Sequence, residues 1–97
     1  MTKIIVDEKG TGKTTKAIKE AAKTGKYIIV PNRRMAMYTF YMAKEINLNI
    51  PFPITIDEWI RGEVSRTVKK QGVIVDEGLI LLETLLGSKV DMITITK

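Results

Sequence analysis

Gly10-Thr11-Gly12-Lys13-Thr14-Thr15 gathers two glycines, a lysine and three hydroxyls into six consecutive residues. Such a run suits a phosphate cradle. Glycines let successive backbone N–H groups turn inward around phosphate oxygens, and a helix opening at the lysine adds the positive end of its dipole. Lys13 would then reach the β- and γ-phosphates as a mobile point charge, the Thr14 hydroxyl would ligate Mg²⁺, and Thr15 would touch the α-phosphate. Further on, Val73-Ile74-Val75-Asp76-Glu77 ends an apolar run in two adjacent carboxylates. Beside the phosphate run, Asp76 would hold Mg²⁺ through its water shell and Glu77 would polarise an attacking water. Each run has a plain structural alternative, a glycine turn with an exposed lysine and a strand end with two solvated acids. Together the two runs explain each other.

The elements that must position these residues are legible from spacing. Lys3-Ile4-Ile5-Val6 is a short β-branched run leading into the charged, glycine-containing loop, and Ala17, Ile18, Ala21 and Ala22 then recur at helical spacing up to Thr24-Gly25. Tyr27 to Val30 reads as a second strand closed by Pro31-Asn32, and Arg33 to Ile46 as a second helix, apolar on much of its circumference. Pro51-Phe52-Pro53 breaks the chain. A short strand at Ile54-Thr55-Ile56 and a helical turn with an acidic start at Asp57-Glu58 follow. Ser65 to Lys70 reads as the least ordered stretch, Gly72 to Val75 as a third clear strand, Leu79 to Leu86 as a compact apolar helix, and Met92 to Thr96 as a last strand. Strands that are apolar throughout and alternate with helices predict an α/β three-layer sandwich. Its sheet would be mostly parallel, with four or five strands. Ligands of such sheets bind at the carboxyl ends of the strands, so the loops after residues 6, 30, 56, 75 and 96 should share one edge.

Composition sets limits on the chemistry. The 97 residues contain no Cys and no His, which excludes disulfide frameworks, thiol nucleophiles and His-dependent triads. The length predicts a single domain over 1–97 with one modest core. No stretch approaches the roughly 18 apolar residues of a spanning helix, so the chain is read as soluble and cytoplasmic, with no membrane partner. Residues 1–44 carry ten Lys/Arg and three Asp/Glu, whereas residues 45–97 carry six and eight. A basic first half suits a polyanion such as nucleotide or nucleic acid; a solvated lysine-rich helix face is the alternative.

In this setting Gly10 to Thr15 resembles the Walker A loop of P-loop nucleoside triphosphatases, with one departure: Asp7 stands where the leading Gly of that motif belongs. Val73 to Glu77 resembles the Walker B strand in its Asp-Glu form. Tyr27 to Ala36 resembles the segment of superfamily 1 and 2 helicases that touches the backbone of single-stranded nucleic acid. The resemblance carries that role to Asn32, Arg33 and Arg34, whose amide and guanidinium groups suit it. Ile54 to Ile60 falls where superfamily 1 helicases place a Thr-containing strand and an aromatic-containing helix, so Trp59 is either a base-stacking residue or part of the core. Thr96 falls at the γ-phosphate sensor strand of the family, with an ordinary strand-end threonine as the alternative. Element order thus looks like a minimal first motor domain of a superfamily 1 helicase, a RecA-like core.

The resemblance implies ATP or another NTP and Mg²⁺ as cofactors, with slow hydrolysis by a nucleoside triphosphatase (ATPase) in which Lys13 and Glu77 are the catalytic pair. It implies action on single-stranded nucleic acid with a protein partner or as a homo-oligomer. A non-catalytic helicase-like module that binds a replication or recombination protein, or single-stranded DNA, is the competing expectation, favoured by Asp7. A small nucleotide kinase or a piece of a DNA-packaging motor is a third. The apolar helices over Arg33 to Ile46 and Leu79 to Leu86 are expected either to pack in the core or to form a self-association surface.

Overall fold

The computed structural model describes residues 12–94. Helix α1 (Lys13–Thr24) runs between two glycines in the left-handed region, Gly12 at φ 86° and Gly25 at φ 77°, a conformation in which a side chain is strained. Gly25 N–H donates to Ala21 O at 2.8 Å and stops the helix there. Ile18 and Ala21 fall on one stripe and are buried. Strand β1 (Ile28–Val30) is buried at all three positions. Asn32 then caps α2 (Arg33–Glu45), its side-chain Oδ1 accepting from Met35 N–H at 3.0 Å.

Strand β2 (Ile54–Thr55) is cut short because Thr55 and Glu58 form a capping box that turns the chain into α3 (Ile56–Ile60). The predicted strand residue Ile56 is therefore the first residue of a helix. Ser65 caps α4 (Arg66–Gln71) by accepting from Val68 N–H at 3.3 Å. This stretch, expected to be the least ordered, is a short helix because serine supplies the acceptor that its free N–H groups need. Strand β3 (Ile74–Val75) and helix α5 (Gly78–Leu86) complete the described elements.

All three strands are parallel, in the order β2-β1-β3. Ile29 pairs with Ile54 on one side and with Val75 on the other. This corrects the expected sheet of four or five strands. Met92 to Thr94 form no strand, and Met92 and Ile93 are 81% and 53% exposed. Among the described residues that segment has no neighbour to pair with, and so lacks the ladder a strand needs. The predicted strand at Lys3 to Val6 and the tip at Thr96 lie outside the described residues.

Ile28 and Val30, two residues apart, project to one face of the sheet. There they cluster with Ile18 and Ala21 of α1 and with Ala36 and Ala43 of α2. Burial of each large aliphatic side chain in this cluster contributes about 1.5–3 kcal/mol. Helices α1 and α2 pack on each other over that face, whereas α4 and α5 bury no residue. Because the strands are parallel, the residues that follow Val30, Thr55 and Val75 emerge at one edge. Among the described residues no helix is long and apolar enough to cross a membrane.

Candidate functional site

Strand β3 delivers Asp76 and Glu77 to the carboxyl edge of the sheet. Asp76 N–H donates to Ile29 O at 3.2 Å, which ties the end of β3 to the central strand. The start of α1 lies against this point. Thr14 Oγ1 donates to Asp76 Oδ2 at 3.0 Å, across 62 residues of sequence. Lys13 Nζ lies 3.8 Å from Glu77 Oε1, both side chains being partly exposed. Four residues picked out by type and spacing, Lys13, Thr14, Asp76 and Glu77, therefore stand together.

Backbone geometry supports the cluster from both sides. Glu77 has φ 58° and ψ 52° and precedes α5 without capping it through its side chain. A left-handed backbone costs a non-glycine residue on the order of 1 kcal/mol. Its carboxylate, not spent on the cap, reaches Lys13. Across from it, α1 opens on Gly12 with no side-chain cap and no acidic residue in its first turn. The positive end of the α1 dipole is thus unopposed by a carboxylate of its own first turn.

Asp76 is only 4% exposed. Burial pushes its carboxyl above the ordinary value of 3.8; the Thr14 hydrogen bond pulls it down, the Glu77 carboxylate pushes it up again, and Lys13 pulls it down, with burial prevailing. A carboxyl raised in the folded state contributes stability that is present below 3.8 and lost as the pH climbs through the folded value. At neutral pH the ionised group therefore costs stability. Asp76→Asn, which removes the buried charge, is expected to raise Tm at pH 7. It should also flatten the fall of Tm with rising pH in the acid range. Thermal unfolding across a pH series reads both effects, and a lower Tm for the variant at pH 7 would contradict the burial cost.

Thr15, expected at an α-phosphate, turns its hydroxyl toward Met42 Sδ of α2 at 4.0 Å instead. Gly12 is the hinge into α1, and Gly10, Thr11, Asp7 and Thr96 lie outside the described residues. Among the described residues no three acidic side chains gather into a metal-holding group. The donors at hand, one carboxylate and one hydroxyl, suit Mg²⁺, which takes one or two protein oxygens and completes its shell with water and phosphate.

The residues expected at nucleic acid separate. Asn32 and Arg33 form one wall of a cleft of about 430 Å³ between the carboxyl ends of β1 and β2; Asp57, Glu58, Arg61 and Glu63 line the other. Arg61 is neutralised within the cleft by Asp57 and Glu63. Thr55 N–H holds Glu58 below its usual range, with burial opposing and the Thr55 hydroxyl and Arg33 adding to the hold. The cleft is thus acidic on one side. Trp59 does not line it; the Lys69 ammonium lies 5.5 Å from its ring centre. Arg34 is exposed on α2.

Sequence reasoning missed two features that were readable. The Thr55-Ile56-Asp57-Glu58 run is a capping-box pattern, and it locates the acidic wall. The outward side of α2 also carries Arg33, Met37, Tyr41 and Lys44 at helical spacing beside Tyr38, a periodicity hidden by reading the helix as apolar on much of its circumference. Comparison of the chain with protein-family models, with curated proteins and with solved structures finds no match.

Proposed function

We propose that this chain binds a nucleoside triphosphate, ATP or a relative, with Mg²⁺ at the junction of α1 and β3. We further propose slow hydrolysis there and action on nucleic acid in company with a protein partner or as an oligomer. The observation that carries the reading is the meeting of Thr14 with Asp76, and of Lys13 with Glu77, at the carboxyl edge of a parallel sheet. Thr14 Oγ1 and Asp76 would hold the cation, whose contribution is to neutralise charge on the phosphate oxygens. Lys13 would exchange its carboxylate partner for phosphate, and the N–H groups opening α1 would donate hydrogen bonds to phosphate oxygens. Glu77, released by that exchange, would orient a water and take up its proton.

The non-catalytic module is kept as a second reading on one observation. Helix α5, which follows Glu77 directly, leaves Leu79, Ile80, Leu85 and Leu86 about half exposed or more. A helix so apolar and so uncovered suits attachment to another protein. Among the described residues neither Asp76 nor Glu77 is ion-paired to an arginine, so fast phosphoryl transfer would need one from elsewhere.

Melting curves with and without ATP and Mg²⁺ test the nucleotide site. Ligand at 100 times its dissociation constant should stabilise the chain by about 2.7 kcal/mol, and Lys13→Ala should remove most of that gain. The absence of any shift in the parent chain at millimolar ATP would end the nucleotide reading.

A further inference from the structure

Helix α2 turns its buried stripe of Ala36, Thr39 and Ala43 toward the sheet and α1. The opposite face carries Arg33, Arg34, Met37, Tyr38, Tyr41 and Lys44. Tyr38 and Tyr41 are 53% and 55% exposed. Three residues apart, they are neighbours on the helix surface, offset by about 4.5 Å along its axis. Arginines stand at the start of the helix and Lys44 near its end, and the helix has one carboxylate, Glu45. Large aromatic rings at the surface are poor choices for solubility and good ones for contact.

A second aromatic pair borders this face. Phe40 and Phe52 meet at 5.1 Å with their planes tilted by 55°. The Arg33 guanidinium lies 5.7 Å from the Phe52 ring centre and the Lys44 ammonium 4.8 Å from that of Phe40. These contacts hold Arg33 and Lys44 against the phenylalanine pair, at the edge of the face that carries the tyrosines. The arrangement is a strip of π-faces with positive charge at either end, about 20 Å long for the 13 residues of α2.

We infer that the outward face of α2 is a platform for single-stranded nucleic acid, with bases stacked on Tyr38 and Tyr41 and the phosphate backbone held by Arg33, Arg34 and Lys44. Charge decides between a strand and an apolar protein surface. Three cations against one carboxylate favour a polyanion, and exposed rings spaced one helical turn apart accept bases of any sequence. The wall formed by Asp57, Glu58, Arg61 and Glu63 has three acids against one arginine, which disfavours phosphate in the neighbouring cleft and leaves the outward side of α2 as the better seat for the strand. The inference rests on the nucleic-acid part of the proposed function and is independent of the nucleotide site.

Fluorescence polarisation of a labelled oligothymidylate at low salt tests it. The parent chain should bind, and tyrosine emission should be quenched as the bases stack. Tyr38→Ala and Tyr41→Ala should each weaken binding about 10-fold, while Tyr38→Phe and Tyr41→Phe, which keep the ring, should bind as the parent does. Arg34→Gln should lower the slope of log affinity against log salt by about 0.7, one phosphate contact on a single strand. Lys13→Ala should leave oligonucleotide affinity unchanged, so failure of the nucleotide site and failure of the platform are told apart. No binding at about 50 mM salt would overturn the inference. So would affinity indifferent to both alanine variants, or alanine variants that change only the oligomeric state, which would assign the face to a protein. Circular dichroism of each variant separates loss of contact from loss of fold.

Discussion

Glu77→Gln is expected to abolish nucleotide turnover, by at least about 100-fold, while nucleotide binding persists. The amide keeps the shape and the partial polarity of the side chain but cannot take up a proton. It also keeps the left-handed backbone at this position, where glycine would relax it. The loss of the Lys13 ion pair costs little, because both side chains are partly in water and separated by 3.8 Å. Stability should therefore change by less than about 1 kcal/mol. The measurement is phosphate release under single-turnover conditions alongside the ATP-dependent shift in Tm. Turnover equal to that of the parent would remove Glu77 from the chemistry, and loss of the thermal shift together with turnover would make it a binding residue.

Ile18→Ala should have the largest effect on stability. Ile18 is fully buried, on the face of α1 that meets Ile28 and Val30. Removing a buried aliphatic side chain of this size costs about 2–5 kcal/mol, the lost transfer free energy plus the cavity left behind. A chain of this length has about 5–10 kcal/mol in total, so the variant should lie near the edge of folding. Ile18→Val, which deletes one methylene, should cost about 1 kcal/mol. Urea unfolding of both variants reads the difference. Since α1 also carries Lys13 and Thr14, the alanine variant should bind ATP at the proposed site with an apparent affinity reduced in proportion to its folded fraction. A cost below about 1 kcal/mol for Ile18→Ala would mean that α1 does not pack on the sheet as described.

The parts of the fold that could be read in advance are those where local pattern and tertiary packing agree. The stripe of Ala17, Ile18, Ala21 and Ala22 closed by Gly25 defined α1, and the apolar run before Pro31 defined β1. The ends of β2 could not be set by hydrophobicity, since Ile54, Thr55 and Ile56 all favour strand; the Glu58 side chain decides, by capping a helix on Thr55. Ser65 decides in the same way for α4. Met92 to Thr94 have strand-forming residues but no partner strand among the described residues, and β propensity without a neighbour yields none. For the site, the meeting of Lys13 and Thr14 with Asp76 and Glu77 was legible because a helix start and a strand end deliver them to one edge of a parallel sheet. Thr15 was not, because the direction of its hydroxyl depends on the approach of α2, a contact between elements that local sequence does not encode. Trp59 was ambiguous for the same reason, and its ring is occupied by Lys69.

The position of β1 between its two later partners has a consequence for synthesis. β1 emerges first, gains β2 through a short helical crossover, and must then keep its other edge open until β3 arrives from 46 residues further along, as the pairing of Ile28 with Ile74 requires. At about 5–20 residues per second, Thr14 leads Asp76 by roughly 3 to 12 s on the ribosome. During that interval the nascent chain has its lysine and hydroxyl in place, no acid opposite them, and an apolar strand with a bare edge that invites wrong pairing. The junction of Lys13 and Thr14 with Asp76 and Glu77 is thus completed only when β3, the last of the described strands, docks, and a nascent chain in which it docks slowly is the one most exposed to wrong pairing.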